Sequence, residues 1–265
     1  MTGSPDPVVL VERRGRVALI TINRPESRNA VTGAVSTAVG NALEAANSED
    51  GIWAVVITGA GGSSFCAGAD LKALSRGENV LHEEHPEWSF AGYAGHFIDK
   101  PTIAAVNGVA LGGGCELALA SDLVIACESA SFGLPEVKRG LLAGAGGKFR
   151  LLDQLPQKVA LELLFTGESI TAQQALNWGL VNQVVPDGTA VEAALRLAEL
   201  IAVNAPLSIQ ATKRVAYGVE RGIIVSEEPK WDLSSREFTA LLESEGAKEG
   251  PRAFAEKRLP IWTAR

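Results

Sequence analysis

Short runs of β-branched residues alternate with stretches of helical spacing, and the C-terminal stretch has helical spacing only. This predicts an α/β fold with parallel strand pairing and a helical C-terminal region. In chain order, residues 8–12 and 17–23 read as a hairpin turning at Arg14-Gly15. Residues 32–46 carry small and apolar side chains at helical spacing, with Thr32 placed as the N-cap. Residues 53–58 form an apolar run that enters Gly59-Ala60-Gly61-Gly62, the pattern of a buried strand running into a loop. Residues 102–106, 123–126 and 180–185 repeat it. Helical stretches lie at 113–120, 148–155, 158–165, 172–178 and 190–204. After Asn204 the strands stop, and 206–219, 231–242 and 247–257 read as helices. The expected division is a core over residues 1–199 and a helical region over residues 200–265. Residues 75–95 read as a polar loop, and loops of that length in a compact domain are often functional or mobile.

Composition narrows the function. A net charge of -7 argues against a nucleic-acid surface as the main role. A membrane span needs about 20 consecutive apolar residues, and the apolar runs here are shorter or broken by Gly, Asn and Asp. Met1-Thr2-Gly3-Ser4-Pro5-Asp6-Pro7 has neither the basic start nor the apolar stretch of a secretory signal, so the expected location is cytoplasmic. Cys66, Cys115 and Cys127 are odd in number and form no C-x-x-C pair, which points to small buried apolar residues rather than a disulfide framework or a zinc site.

Three segments are rich in small or turn-forming residues: Phe65-Cys66-Ala67-Gly68-Ala69-Asp70-Leu71, Asn107-Gly108 through Gly112-Gly113-Gly114-Cys115-Glu116, and Phe132-Gly133-Leu134-Pro135-Glu136. Small residues let backbone N–H groups approach a ligand. Carboxylates beside such a cradle can move protons. Together they suggest chemistry at a carbonyl, with a backbone oxyanion hole and two acids. Each glutamate also has a plainer reading as a first-turn helix residue facing the backbone donors. Other motifs fail. The dinucleotide fingerprint would need glycine at Ser64 or at Leu117, and a P-loop ending at Gly146-Gly147-Lys148 would need glycine at Leu142 and Ser or Thr at Phe149. His82-Glu83-Glu84-His85 lacks the second metalloprotease histidine at Pro86 and reads as a solvated charged loop, and no G-x-S-x-G elbow is present.

Those three segments resemble the hallmarks of the enoyl-CoA hydratase (crotonase) superfamily. Asn23-Arg24-Pro25, Ala143-Gly144-Ala145-Gly146-Gly147, Leu164-Phe165-Thr166-Gly167 and Gly179-Leu180-Val181 resemble further landmarks, and residues 249–258 its C-terminal helix. The resemblance covers nearly the whole chain outside residues 75–95. It implies a crotonase (ClpP-like) fold, a superhelix of β-β-α turns with a C-terminal helical trimerisation region. It implies an acyl-CoA thioester as substrate, no separate cofactor, no metal, and a homotrimer or a hexamer made of two trimers. Carried over by position, Glu116 and Glu136 are the catalytic pair, Ala69 and Gly113 supply the oxyanion-hole N–H groups, and Gly144 helps to hold the reacting water. The resemblance gives CoA contacts to Ser27, Arg28, Ala67 and Lys72, and to Phe254 and Lys257 on a C-terminal helix that reaches a neighbouring subunit. Ala143 stands where hydratases commonly have proline. The expected activity is hydration of a trans-2-enoyl-CoA, a hydro-lyase step of fatty acid metabolism. Leu134-Pro135-Glu136 and Ala253-Phe254-Ala255-Glu256-Lys257-Arg258 with Pro260 and Trp262 also resemble carnitinyl-CoA dehydratases of the same superfamily. Enoyl-CoA isomerisation, and a non-catalytic or RNA-binding member, are the remaining alternatives.

Overall fold

The computed structural model describes residues 6–263. The chain runs β1 (Val9–Arg14), β2 (Val17–Ile22), α1 (Gly33–Ser48), β3 (Ala54–Gly59), β4 (Ser64–Cys66), α2 (Leu71–Ser75), β5 (Thr102–Val106), β6 (Val109–Leu111), α3 (Gly113–Ala120), β7 (Leu123–Cys127) and β8 (Ser131–Gly133). It continues through α4 (Gly147–Gln154), α5 (Gln157–Thr166), β9 (Ser169–Thr171), α6 (Ala172–Asn177), β10 (Gln183–Val185) and α7 (Ala190–Ala202). The last part holds α8 (Pro206–Tyr217), β11 (Val219–Glu220), β12 (Ile223–Ile224), α9 (Glu228–Leu242) and α10 (Glu245–Ala255). The N-terminal segment read for a secretory signal lies largely outside the described residues.

Two sheets follow from one repeated unit. A six-stranded sheet has the order β1-β2-β3-β5-β7-β10, and a four-stranded sheet has the order β4-β6-β8-β9. The pairs β3/β4, β5/β6 and β7/β8 each give one strand to each sheet before the chain turns into a helix. That is the β-β-α superhelix. Pairing is parallel except for β1 with β2 and β8 with β9. β3 and β5 are buried at every position, which explains their continuous apolar runs. α1 begins where Thr32 accepts from Val35 N, and α2 where Asp70 accepts from the N–H groups of Lys72 and Ala73. α3 touches β5 of one sheet and β4 and β6 of the other, so its start lies between the sheets.

The structure corrects four expectations. The four-stranded sheet is built from three-residue strands that no periodicity marked. Strands do not stop at Asn204, because β11 and β12 form a small hairpin through Arg221 and Gly222, both at positive φ. The run over 180–185 pairs only at β10. His82 is not part of a solvated loop. It is 1% exposed, with Nδ1 accepting from the N–H groups of Glu84 and His85 and Nε2 on Asn41 Oδ1. Trp88 is stacked between His85 and His96, at 4.1 and 3.9 Å between ring centroids. These contacts fasten residues 82–96 onto α1.

Candidate active site

The start of α3 is shaped by the absence of side chains. Gly112 has φ +56, which a residue with a Cβ seldom adopts. A Cβ at Gly114 would lie 1.9 Å from Cys66 O, and one at Gly113 would lie 2.4 Å from the Phe90 ring. β4 and Phe90 can therefore press directly on this helix start. Gly68, at φ +92, brings its own peptide alongside, with an ideal Cβ position 3.4 Å from Gly113 N. Among the described residues, the N–H groups of Ala69 and Gly113 have no protein acceptor. They flank one another at the cleft, and the positive end of the α3 dipole adds to Gly113.

The two glutamates meet different surroundings. Glu116 lies in the first turn of α3, 3% exposed. Its Oε1 accepts from Ala145 N at 2.7 Å and Gly147 N at 2.8 Å. The carboxylate thus fastens the turn that opens α4. A Cβ at Gly147 would lie 2.8 Å from Glu116 Cγ. Glu136 comes from the short helical turn Pro135–Arg139 after β8. Its Oε1 faces Gly112, 3.1 Å from where a Cβ would be. Its Oε2 is buried and, among the described residues, has no hydrogen-bond partner.

Burial raises both acids, and their partners separate them. Burial pushes Glu116 up, while the N–H groups of Gly147 and Ala145 and the charge of Lys148 pull against it. Burial, and then the charge on Glu116, push Glu136 up to about 8 from an ordinary 4.5. Hydrogen bonds to a carboxylate favour its charged form, and Glu116 has two where Glu136 Oε2 has none. Both carboxyls therefore hold a proton more readily than an ordinary glutamate, and the two N–H donors favour the charged form on Glu116. Lys148 is half-buried and donates to Ala143 O at 2.7 Å, and burial lowers its affinity for its proton against the pull of both glutamates.

A cleft of about 1950 Å³ joins these parts. Ser27, Arg28, Ala67 and Lys72 line it, as do Phe254 and Gly144, the latter exposed to it. Ala67 N donates to Arg28 O at 3.1 Å, which ties the two loops together. The last helix, expected to reach another subunit, is placed here against its own chain. α10 packs on its own Pro135–Arg139 turn, closely enough that a Cβ at Gly250 would lie 2.0 Å from Arg139 O. Glu249 then holds the tail, accepting from Arg252, Arg258 and the N–H of Ile261. Phe254 lines its own chain's cleft, 4.0 Å under the Arg139 guanidinium. Lys257 lies past the end of α10 at φ +54 and does not line the cleft.

Sequence reasoning missed Phe90, Arg139, Lys148 and Trp231. Lys148 carried a signal, the Gly146-Gly147-Lys148 run set aside as an incomplete P-loop. The others stand in no motif. Cys66 and Cys115 are buried thiols whose pKa burial raises, that of Cys66 to about 12, which agrees with packing rather than nucleophilic roles.

The family model described as enoyl-CoA hydratase/isomerase matches residues 12–265. A carnitinyl-CoA dehydratase of Salmonella typhi is 41% identical over 256 residues, covering 96% of this chain and 97% of that protein. The crystal structure of a carnitinyl-CoA hydratase from Mycobacterium avium is 74% identical, with a TM-score of 0.97 over 98% of this chain and 99% of that one. An enoyl-CoA hydratase structure from Mycobacterium tuberculosis H37Rv is 45% identical, with a TM-score of 0.76 over 98% and 100% of the two chains.

Proposed function

The chain belongs to the enoyl-CoA hydratase/isomerase family, and from that premise we propose that it interconverts carnitinyl-CoA and crotonobetainyl-CoA by removing or adding water across C2–C3. The coarse activity is that of a crotonase-type hydro-lyase acting on an acyl-CoA thioester. Of the readings open from the sequence, similarity to carnitinyl-CoA hydratase and dehydratase proteins favours this one over general fatty enoyl-CoA hydration.

The observation that carries the mechanism is the unequal glutamate pair. In hydration, ionised Glu116 takes a proton from water, the hydroxide adds to C3, and protonated Glu136 delivers its proton to C2. In dehydration the proton starts on Glu116, Glu136 removes the C2 proton, and Glu116 protonates the departing hydroxyl. A pair that shares one proton serves both directions. Charge gathers on the thioester oxygen in either case. The N–H groups of Ala69 and Gly113 would receive it, and losing one such donor typically costs about 2.7–4 kcal/mol. Gly144 would face the water. CoA would lie along Ser27, Arg28, Ala67 and Lys72, with Phe254 and Arg139 closing the site from the same chain. The chain would work as a trimer or hexamer, and the exposed Phe165, Leu200, Val203, Leu207 and Val215 support that view.

The test is turnover of carnitinyl-CoA, crotonobetainyl-CoA and crotonyl-CoA in parallel. The reading expects the highest kcat/KM with the trimethylammonium substrates. A clear preference for crotonyl-CoA overturns it and restores general enoyl-CoA hydration.

A further inference from the structure

The cleft does not end at the glutamates. It continues to one face of α9, where Glu228, Trp231, Asp232, Ser235 and Phe238 recur at intervals of three and four and all line it. This face stands behind the turn that holds Glu116. A Cβ at Gly146 would lie 3.2 Å from the Trp231 ring, and one at Gly144 would lie 4.0 Å from the Phe238 ring. The Trp231 indole is fixed at several points. Its Nε1 donates to Glu227 Oε2 at 3.2 Å, and Phe149 packs edge-on at 5.1 Å between centroids. Glu227 is itself gripped by Arg150 through two hydrogen bonds of 2.8 and 2.7 Å. Arg150 also donates to Ala94 O and is buried.

Charges of both signs line this cleft, and on the α9 face itself they are Glu228 and Asp232. Among the described residues neither Glu228 nor Asp232 is in an ion pair. The Arg150 guanidinium lies over the Trp231 ring, 5.6 Å from its centroid, and is held there by its ion pair with Glu227, which leaves the cleft side of the indole for a ligand. A fixed aromatic face with unspent negative charge beside it suits a quaternary ammonium group, which cannot donate hydrogen bonds and is held by ring faces and by Coulomb attraction.

We infer that Trp231, with Asp232 beside it, is the specificity-determining contact for a cationic acyl group, receiving a trimethylammonium head while the thioester lies at Ala69 and Gly113. This rests on the reading that the substrate carries such a head. It adds the place where the head sits. Phe238 bounds the same space, so a long straight acyl chain would meet the aromatic wall.

Binding can test this apart from turnover. The probes are 4-(trimethylammonio)butanoyl-CoA and its neutral twin 5,5-dimethylhexanoyl-CoA, which share shape and lack the reactive double bond. Calorimetric titration of the full chain should show the cationic thioester bound about tenfold tighter or more. Trp231→Leu and Asp232→Asn should each reduce that preference to threefold or less, with the greater loss falling on the cationic thioester. Trp231→Phe should retain part of the preference. A circular dichroism spectrum and thermal midpoint equal to the parent's certify that a variant is folded, and Asp232→Asn keeps the size of an exposed side chain. Equal affinity of the unaltered chain for the two probes overturns the inference, as does a preference that survives both substitutions. A chain that prefers the cation yet fails to turn over crotonobetainyl-CoA leaves the inference standing and sinks the proposed activity. The opposite pattern does the reverse.

Discussion

Glu136→Gln should make the protein more stable at alkaline pH while removing its activity. The folded state holds a proton on Glu136 up to about pH 8, whereas the ordinary carboxyl releases it near 4.5. Folding therefore takes up a proton across that window. Stability falls as pH rises from about 4.5 to about 8 and is level beyond, because ionising this carboxyl is easier in the unfolded chain. At about 1.4 kcal/mol per pH unit, the fold loses about 4 kcal/mol between pH 5 and pH 9 as this carboxyl ionises beside Glu116. Gln has the same shape and no proton to lose, so the variant lacks that decline. Urea unfolding of both proteins at pH 5 and pH 9, at one protein concentration, gives the comparison. The stability difference between variant and parent should move in the variant's favour by about 4 kcal/mol from the lower pH to the higher. Parallel pH dependence in the two proteins would refute the argument, since the proton would then not reside on Glu136.

Glu116→Gln should keep an oxygen for the N–H groups of Ala145 and Gly147, preserve the fold and cut hydration by about 10²–10⁴-fold, read as loss of enoyl-thioester absorbance; a parental rate would remove Glu116 from the reaction. His82→Ala strands the N–H groups of Glu84 and His85, costs about 1–3 kcal/mol, and should bring proteolytic cutting into residues 75–95. Protection equal to the parent's would mean that His82 does not fasten the segment. Sedimentation equilibrium should give a trimer or hexamer, and a monomer at micromolar concentration would defeat the assembly reading.

The long elements were legible because burial writes itself into them. β5 and α3 coincide with their expected limits, since a buried strand and an almost fully buried helix draw on small and apolar residues. Glu116 stood out for the same reason, as a carboxylate inside that apolar helix. The strands β4, β6, β8 and β9 were hidden because three residues carry no period, and their pairing is decided by the sheet they join. His82 was misread because its neighbours Glu83 and Glu84 are charged, whereas its burial comes from Asn41 and Trp88, distant in sequence or outside the charge run. Phe90 and Trp231 left no trace at all. Each matters through one approach, to Gly113 and to Gly146, that only the folded chain brings about.

That division has a mechanistic consequence. The proton pair and the donor N–H groups come from segments whose residues are constrained by contact: Gly114 by Cys66 O, Gly113 by Phe90, Gly147 by Glu116. A larger residue at any of them displaces the Cys66 backbone, the Phe90 ring or the Glu116 carboxylate, so this part of the site has little room to vary. The α9 wall is constrained otherwise. Trp231 is tied to the catalytic turn through the Glu227–Arg150 pair and the Phe149 edge, while Glu228, Asp232 and Ser235 are exposed on the cleft side. On the inference above, substitutions at those three positions would alter the charge that a substrate's far end meets without touching Glu116 or Glu136. On the proposed function, the chemistry at C2 and C3 and the choice of acyl group would be borne by different stretches of the chain, so that the second could change while the first is kept.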